Sequence, residues 1–236
     1  LSDIPGDDLA QVASGPTLPD QRGAAEALAA IDNYRLDLPK RMRDEIATAQ
    51  APLPDDPVFK GHDARLIGSA RLSLEAAAQR ASALGIPAMI LSDAIEGEAA
   101  DIARMHAAIA REIALRDRPF RKPVLLLSGG ETTVTLKGNG RGGRNTEFLL
   151  ALAIALDGMA GVYGFAADTD GIDGSESNAG AFIGPDTLVR LQKLGLQPRA
   201  SLANNDAFSA FEALGKLFSP GPTGTNVNDF RALLIV

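Results

Sequence analysis

The stretch VLLLSGGETTVTLKGNGRGGRNTE, residues 124–147, decides how this chain is read. Its first four residues are a short continuous apolar run, which is how a strand buried on both faces looks in a sequence. Ser128-Gly129-Gly130 then predicts a tight turn at the strand end, where backbone N–H groups could approach an anion with no Cβ in the way. From Glu131 to Lys137 the residues alternate, Thr133 and Thr135 against Val134 and Leu136, which predicts a half-exposed edge strand paired antiparallel. A glycine-rich loop, GNGRGG, leads into Arg144 and Asn145, the start of a helix expected over 144–156.

Working outward, PAMIL (87–91) reads as a second buried strand, with a long helix expected over 97–116. ARLIGS (64–69) suggests a strand, followed by a helix over 71–84 that Gly85 ends. This β-α-β-α-β alternation predicts a layered α/β/α fold with a mostly parallel, mixed sheet. Further on, a strand is expected over 161–167, helices over 185–194 and 206–214, and an apolar strand over 229–236. Upstream, 21–34 reads as an Ala-rich helix capped by Asp20, and 39–50 as a short charged one. APLPDDP (51–57) carries three prolines, which can neither continue a helix nor sit in a central strand, so a linker is expected there. The chain opens at Leu1 with LSDIPGDD, where Leu1-Ser2-Asp3 reads as the end of a strand. The expectation is that part of a longer protein precedes it.

With 45 % hydrophobic and 22 % charged residues in 236, a large core can form. Aromatics are scarce at 5 % and Trp is absent, so Ala, Leu, Ile and Val must build that core. The net charge of −7 argues against a general nucleic-acid binder, although local arginines and a divalent cation could still serve small anions. No cysteine is present, which rules out disulfides, thiolate metal sites and Cys nucleophiles and fits a reducing cytoplasm. No apolar run reaches membrane-spanning length, so no membrane partner is expected.

Two places could carry chemistry. In the first, Gly138 to Gly143 satisfies G-x-G-x-x-G, with Gly140 and Gly143 as its second and third glycines. A helix N-terminus with spare N–H groups suits phosphate or carboxylate, and Arg144 adds a fork of donors that grips such anions bidentately. As a dinucleotide fingerprint the match is weak: the strand before it alternates with threonine, and Arg141 and Arg144 are bulky where close packing is wanted. In the second, Asp168, Asp170 and Asp173 in DTDGIDG offer three hard-oxygen donors suited to Mg²⁺, or a base for a hydroxyl. A plain Asp/Gly turn is the other reading. Asp3, Asp7 and Asp8 could line a cleft with SGPT (14–17), and Thr225 and Asn226 offer a hydroxyl and an amide, although a simple turn accounts for them as well. His62 and His106 share no ligand spacing, and His106 reads as structural.

The ordered set SDIPGDDLAQVASGPTLPD, EGEA, SGGETTV, GRGGRNTE, DTDGIDG and GPTGTNVND resembles the glycerate kinase type II family, whose C-terminal half is the MOFRL domain. Some members carry a hydroxypyruvate reductase name. The resemblance implies ATP- and Mg²⁺-dependent phosphorylation of D-glycerate, giving 2-phosphoglycerate, in an interdomain cleft. It implies that residues 1–60 are the remainder of a preceding α/β domain and 61–236 a second one, with MOFRL from about 120 to 236. Within it Arg144 matches an active-site arginine, Asp168 and Asp170 would act on metal or hydroxyl beside Glu131, and the Ser128–Gly130 backbone would cradle an anion. The partners implied are D-glycerate and a nucleotide, in the cytoplasm, with a homodimer as one candidate assembly. A glycine-rich segment and a lysine of the family are absent, so this piece is expected to have little kinase activity. Two alternatives stand beside this reading: a nicotinamide-dependent hydroxypyruvate reductase that uses the G-x-G-x-x-G turn, and a non-catalytic fragment.

Overall fold

The structure, a computed structural model, describes residues 1–20 and 22–236. It forms two compact units, Asp8–Leu66 and Leu1–Asp7 with Ile67–Val236. The proline-rich linker therefore lies inside the smaller unit.

In the smaller unit, α1 spans Ala24–Asn33 and α2 Lys40–Thr48. The Glu26 carboxylate accepts the Gly23 amide at 2.9 Å, doing at the start of α1 what the sequence assigned to Asp20. Asp20 instead pairs with Arg22 at 2.8 Å, and the expected helix start at Gln21 lies outside the described residues. Ile31 is the buried side chain of α1 and α2 buries none; an ion pair of 2.8 Å, Arg43 to Asp32, links the two helices.

The larger unit is built on a six-stranded sheet ordered β1-β3-β8-β5-β6-β7. Its strands are β1 (Ala88–Ser92), β3 (Val124–Gly130), β5 (Val162–Asp168), β6 (Gly180–Ile183), β7 (Leu217–Phe218) and β8 (Asp229–Ile235). A separate pair, β2 (Gly97–Glu98) and β4 (Thr132–Thr133), runs parallel. The layered, mixed α/β class is as expected, and β1, β3, β5 and β7 all point one way. Among the described residues of this six-stranded sheet only β1 and β3 are parallel as neighbours, however, because β8 enters between β3 and β5 and runs against both. The alternation of strands and helices forecasts the direction of β3 and β5. It says nothing about the last strand of the chain becoming their common neighbour.

Helix α3 (Ala70–Ala83) packs on one sheet face, where Leu74 lies close to Gly129. Helices α4 (Ala99–Arg116) and α5 (Arg144–Leu156) pack on the other. Ala99, Ala103, Ala107 and Ala110 make a flat small-residue stripe on α4, letting α5 approach closely. Nearly every residue of α5 is buried, which explains an apolar pattern all the way round. Leu126, Phe148, Leu150 and Leu233 fill the space between these layers, each contributing about 1.5–3 kcal/mol by leaving water. Shorter helices follow: α6 (Thr187–Lys193), α7 (Pro198–Ala203) and α8 (Ala207–Leu214).

Three local expectations need correction. Residues 64–69 form no strand, although Gly68 does accept the Ser2 amide at 2.8 Å. The strand expected over 131–137 is only Thr132–Thr133, parallel to β2 and outside the main sheet. Its alternating threonines instead serve Glu98, which accepts both hydroxyls and the Thr135 amide. The turn expected at SGG is a continuation of β3, paired with β8 as far as Gly130 opposite Asp229. Strands β6 and β7 and helix α7 are too short to show a period in the sequence. Among the described residues no helix is long and apolar enough to cross a membrane.

Candidate active site

The carboxyl ends of β3 and β5, the start of β8 and the N-terminus of α5 converge, and Arg144 stands where they meet. Each nitrogen of its guanidinium donates to a different carboxylate. Nε reaches Asp229 Oδ1 at 2.7 Å, Nη1 reaches Glu131 Oε1 at 2.7 Å, and Nη2 reaches Asp168 Oδ2 at 2.6 Å. Burial works against this charge, but Asp229, Asp168 and Glu131 more than offset it and hold the guanidinium well above its usual range. Two of its five N–H donors have no partner among the described residues.

Asp229 organises this centre. Its Oδ1 also accepts Asn145 Nδ2 at 2.8 Å, while its Oδ2 takes Arg231 Nη2 and the amide and hydroxyl of Thr132. Arg231 is wholly buried, with its guanidinium 5.3 Å from the Phe148 ring. The sequence reading missed both residues. Their signal was present: in DFRALLIV, Asp229, Arg231, Leu233 and Ile235 share one strand face. Two charges on an otherwise core-facing row are costly unless paired.

Burial pushes the Asp168 carboxyl up to about 6, with Arg144 opposing. Its Oδ1 accepts the Asp170 amide at 3.2 Å, and Asp170 in turn caps the Ile172 amide at 2.7 Å. The third member of the expected Mg²⁺ set points elsewhere. Asp173 is buried and accepts the amides of Asn145 and Thr146 at 2.9 and 2.8 Å, plus the Thr146 hydroxyl at 2.7 Å. Its carboxylate therefore fills the anion position at the N-terminus of α5. Asp168, Asp170 and Asp173 do not form a metal cage, and among the described residues no group of three acidic or histidine side chains is placed to hold an ion.

The glycine loop is also occupied by protein. Asn205 Oδ1 accepts the amides of Lys137 and Gly138 at 2.7 and 3.0 Å, and Asn204 Oδ1 accepts that of Asn139 at 3.2 Å. The Gly140 amide donates to Asn204 O at 2.9 Å and the Arg141 amide to Asp206 Oδ1 at 3.1 Å. Side chains at Gly138 or Gly140 would collide with Asn204, and one at Gly143 with Asp173. Gly138 and Gly140 let the loop lie against the α7–α8 connection, and Gly143 lets it pass close to Asp173. Arg141 ion-pairs with Glu176 at 2.6 Å. At Gly130, with φ +116°, a Cβ would strike the Ile95 backbone. Close packing thus accounts for SGG, and no open anion cradle forms from Ser128, Gly129 and Gly130.

The remaining sequence candidates scatter. The Asp3 carbonyl accepts Asn228 Nδ2 at 2.7 Å, so the chain start is tied beside Asp229 through its backbone rather than its carboxylate. Asp7 lies 3.8 Å from Arg71. Asp8 belongs to the smaller unit, where it accepts from Ala10 and Gln11 at 3.1 and 2.6 Å. Thr225 and Asn226 sit in a loop that zips onto DTDG through Thr223 and Thr169, with Asn226 Oδ1 capping the Asn228 amide at 3.0 Å. His106 is buried. Its Nδ1–H donates to Ile102 O at 2.8 Å, so Nε2 accepts the Ser128 hydroxyl at 2.9 Å. A groove of about 680 Å³ between α4, α5 and α7, lined by Arg111, Lys137, Glu147 and Arg199, contains none of the Arg144 partners.

The chain matches the MOFRL family over residues 124–229, and a domain of unknown function, DUF4147, over residues 1–48. Along its whole length it is 46 % identical to a provisionally named hydroxypyruvate reductase of Agrobacterium vitis, covering 61 % of that protein. It is 31 % identical to a glycerate kinase of Macaca fascicularis, covering 71 % of it. The crystal structure of a glycerate kinase from Thermotoga maritima superposes with a TM-score of 0.89 at 38 % identity, with all of this chain and 56 % of that one covered. The chain spans about half to three fifths of the length of the Agrobacterium and Thermotoga proteins.

Proposed function

The chain belongs to the glycerate kinase family that carries the MOFRL domain, and from that membership we propose that it serves ATP- and Mg²⁺-dependent phosphorylation of D-glycerate to 2-phosphoglycerate, in the cytoplasm. The observation that carries this reading is the Arg144–Asp168 pair at the carboxyl ends of β3 and β5, where open α/β sheets bind ligands. Arg144 keeps two N–H donors that have no partner among the described residues and suit a carboxylate or a transferring phosphoryl group. Asp168, pushed up to about 6, is ionised at neutral pH yet basic enough to take a proton from a substrate hydroxyl. Asp170 stands beside it and fixes the turn that presents it.

The residues present do not fit a dedicated Mg²⁺ cage, because Asp173 is spent on α5. The ion would enter with the nucleotide phosphates, as Mg²⁺ commonly does. The reductase reading loses its physical basis: the amides of 137–141 and the N-terminus of α5, which a dinucleotide pyrophosphate would need, are taken by Asn204, Asn205, Asp206 and Asp173.

Turnover is the test. The polypeptide at the full length of its relatives, given ATP, Mg²⁺ and D-glycerate, should release ADP and 2-phosphoglycerate, read by ³¹P NMR. Oxidation of NADH by hydroxypyruvate, with no phosphorylation of glycerate, would sink this reading.

A further inference from the structure

Arg144 is expected to bind an anion, yet it is already surrounded by anions. Five charged side chains form the network: Glu131, Asp168 and Asp229 against Arg144 and Arg231, one negative charge in excess. An incoming carboxylate meets repulsion there unless a resident carboxylate leaves. The three residents differ in how firmly they are held. The Asp229 side chain is 0 % exposed and receives five donors. That of Asp168 is 7 % exposed and also holds the Asp170 amide. The Glu131 side chain is 47 % exposed, and among the described residues its hydrogen-bond contact is to Arg144 alone.

The backbone makes the same distinction. Glu131 is the single residue between β3 and β4. Gly130 before it pairs with Asp229, and the Thr132 amide after it donates to Asp229 Oδ2. The main chain is pinned on both sides, so the side chain can swing out without moving Arg144, which Asp229 holds through Nε.

We propose that Glu131 is a stand-in ligand: its carboxylate occupies, in the ligand-free protein, the place on Nη1 of Arg144 that the substrate's carboxylate takes, and binding exchanges one for the other. This rests on the glycerate reading above and narrows it, since it assigns the substrate's carboxylate, not its phosphorylated end, to Arg144. The exchange leaves the number of carboxylates on Arg144 unchanged, so no new repulsion arises. A phosphate dianion in the same place would add charge and is disfavoured.

The experiment follows the side-chain Nε–H resonance of Arg144 in the ¹⁵N-labelled polypeptide at the full length of its relatives, titrated separately with D-glycerate, acetate and inorganic phosphate. Glu131→Gln and Glu131→Ala should each bind D-glycerate and acetate more tightly than wild type, by roughly fivefold, the scale of a partly exposed ion pair. Unchanged or weaker carboxylate affinity in both variants overturns the exchange, and so does tightening confined to inorganic phosphate. If acetate binding tightens while no form binds D-glycerate, the exchange stands and the glycerate reading falls. If wild type binds D-glycerate and both variants bind it less well, Glu131 is a substrate contact: the exchange falls and the glycerate reading stands.

Discussion

The carboxylate of Asp173 accepts the backbone amide of Thr146 at 2.8 Å, across 27 residues of chain. It stabilises the start of α5 from outside the helix, with the Asn145 amide and the Thr146 hydroxyl on the same group. Asp173→Ala should therefore lower stability by about 2–4 kcal/mol, more than an exposed cap because the freed donors stay buried. Asp173→Asn, which keeps the shape and one acceptor, should cost about half as much. Urea unfolding of the three proteins reads this, and an unchanged midpoint in Asp173→Ala would show that the cap is not needed.

Gly140 tests the loop. A Cβ there would collide with Asn204 and Asp206. Gly140→Ala should cost about 1–3 kcal/mol, as overpacking does, and should weaken the Asn204 and Asp206 bonds to the loop. Hydrogen exchange at the Gly140 and Arg141 amides should accelerate. A variant of full stability that had lost only nicotinamide cofactor binding would restore the dinucleotide reading.

Arg144→Lys keeps one charge but cannot reach three carboxylates on three nitrogens. In the full-length enzyme, kcat/KM for D-glycerate should fall at least ~100-fold. Arg144→Ala should in addition destabilise the fold by about 2–4 kcal/mol, because Asp168 would remain buried without its ion-pair partner, while Asp229 would keep only Arg231. Retention of turnover in Arg144→Lys would remove this residue from the reaction.

His106 gives a pH signature. Burial pulls it from 6.5 to about 4. Between those values the unfolded chain binds a proton that the folded one refuses, so the stability tied to His106 is complete above pH 6.5 and falls as pH drops toward 4. The loss should approach ~3 kcal/mol over that window. His106→Gln, which can still donate to Ile102 O and accept from Ser128, should flatten the slope. Buried carboxyls such as Asp168 and Asp173 are shifted up and titrate in the opposite sense, so the difference between variant and wild type is the quantity to read.

Much of the fold was legible. Helix α5 begins and ends where its pattern predicts, and β3, β5 and β8 lie within three residues of their expected ends. Periodicity is a local property, and a long, fully apolar segment has few other solutions. Arg144 stood out for a local reason too, as a cation at the positive end of a helix. Asp229 and Arg231 were passed over because an apolar strand hid two inward charges. The glycines of GNGRGG were assigned to a ligand because a sequence cannot say whether a bare backbone approaches phosphate or another piece of protein.

The sequence by itself determined the longer strands β1, β3, β5 and β8, the helices α3 to α5, the Ala-rich seam of α4 and the placing of an arginine at the start of α5, all of which depend on residues a few positions apart. Only the tertiary structure decided that β8 lies between β3 and β5, bringing Asp229 to Arg144 across 85 residues. Only it decided that Asp173 fills the helix terminus and Asn204, Asn205 and Asp206 fill the glycine loop. The reason is the hydrogen bond itself: a spare N–H or carboxylate is indifferent to chain distance, and its partner is whichever complementary group the packed layers bring within about 3 Å.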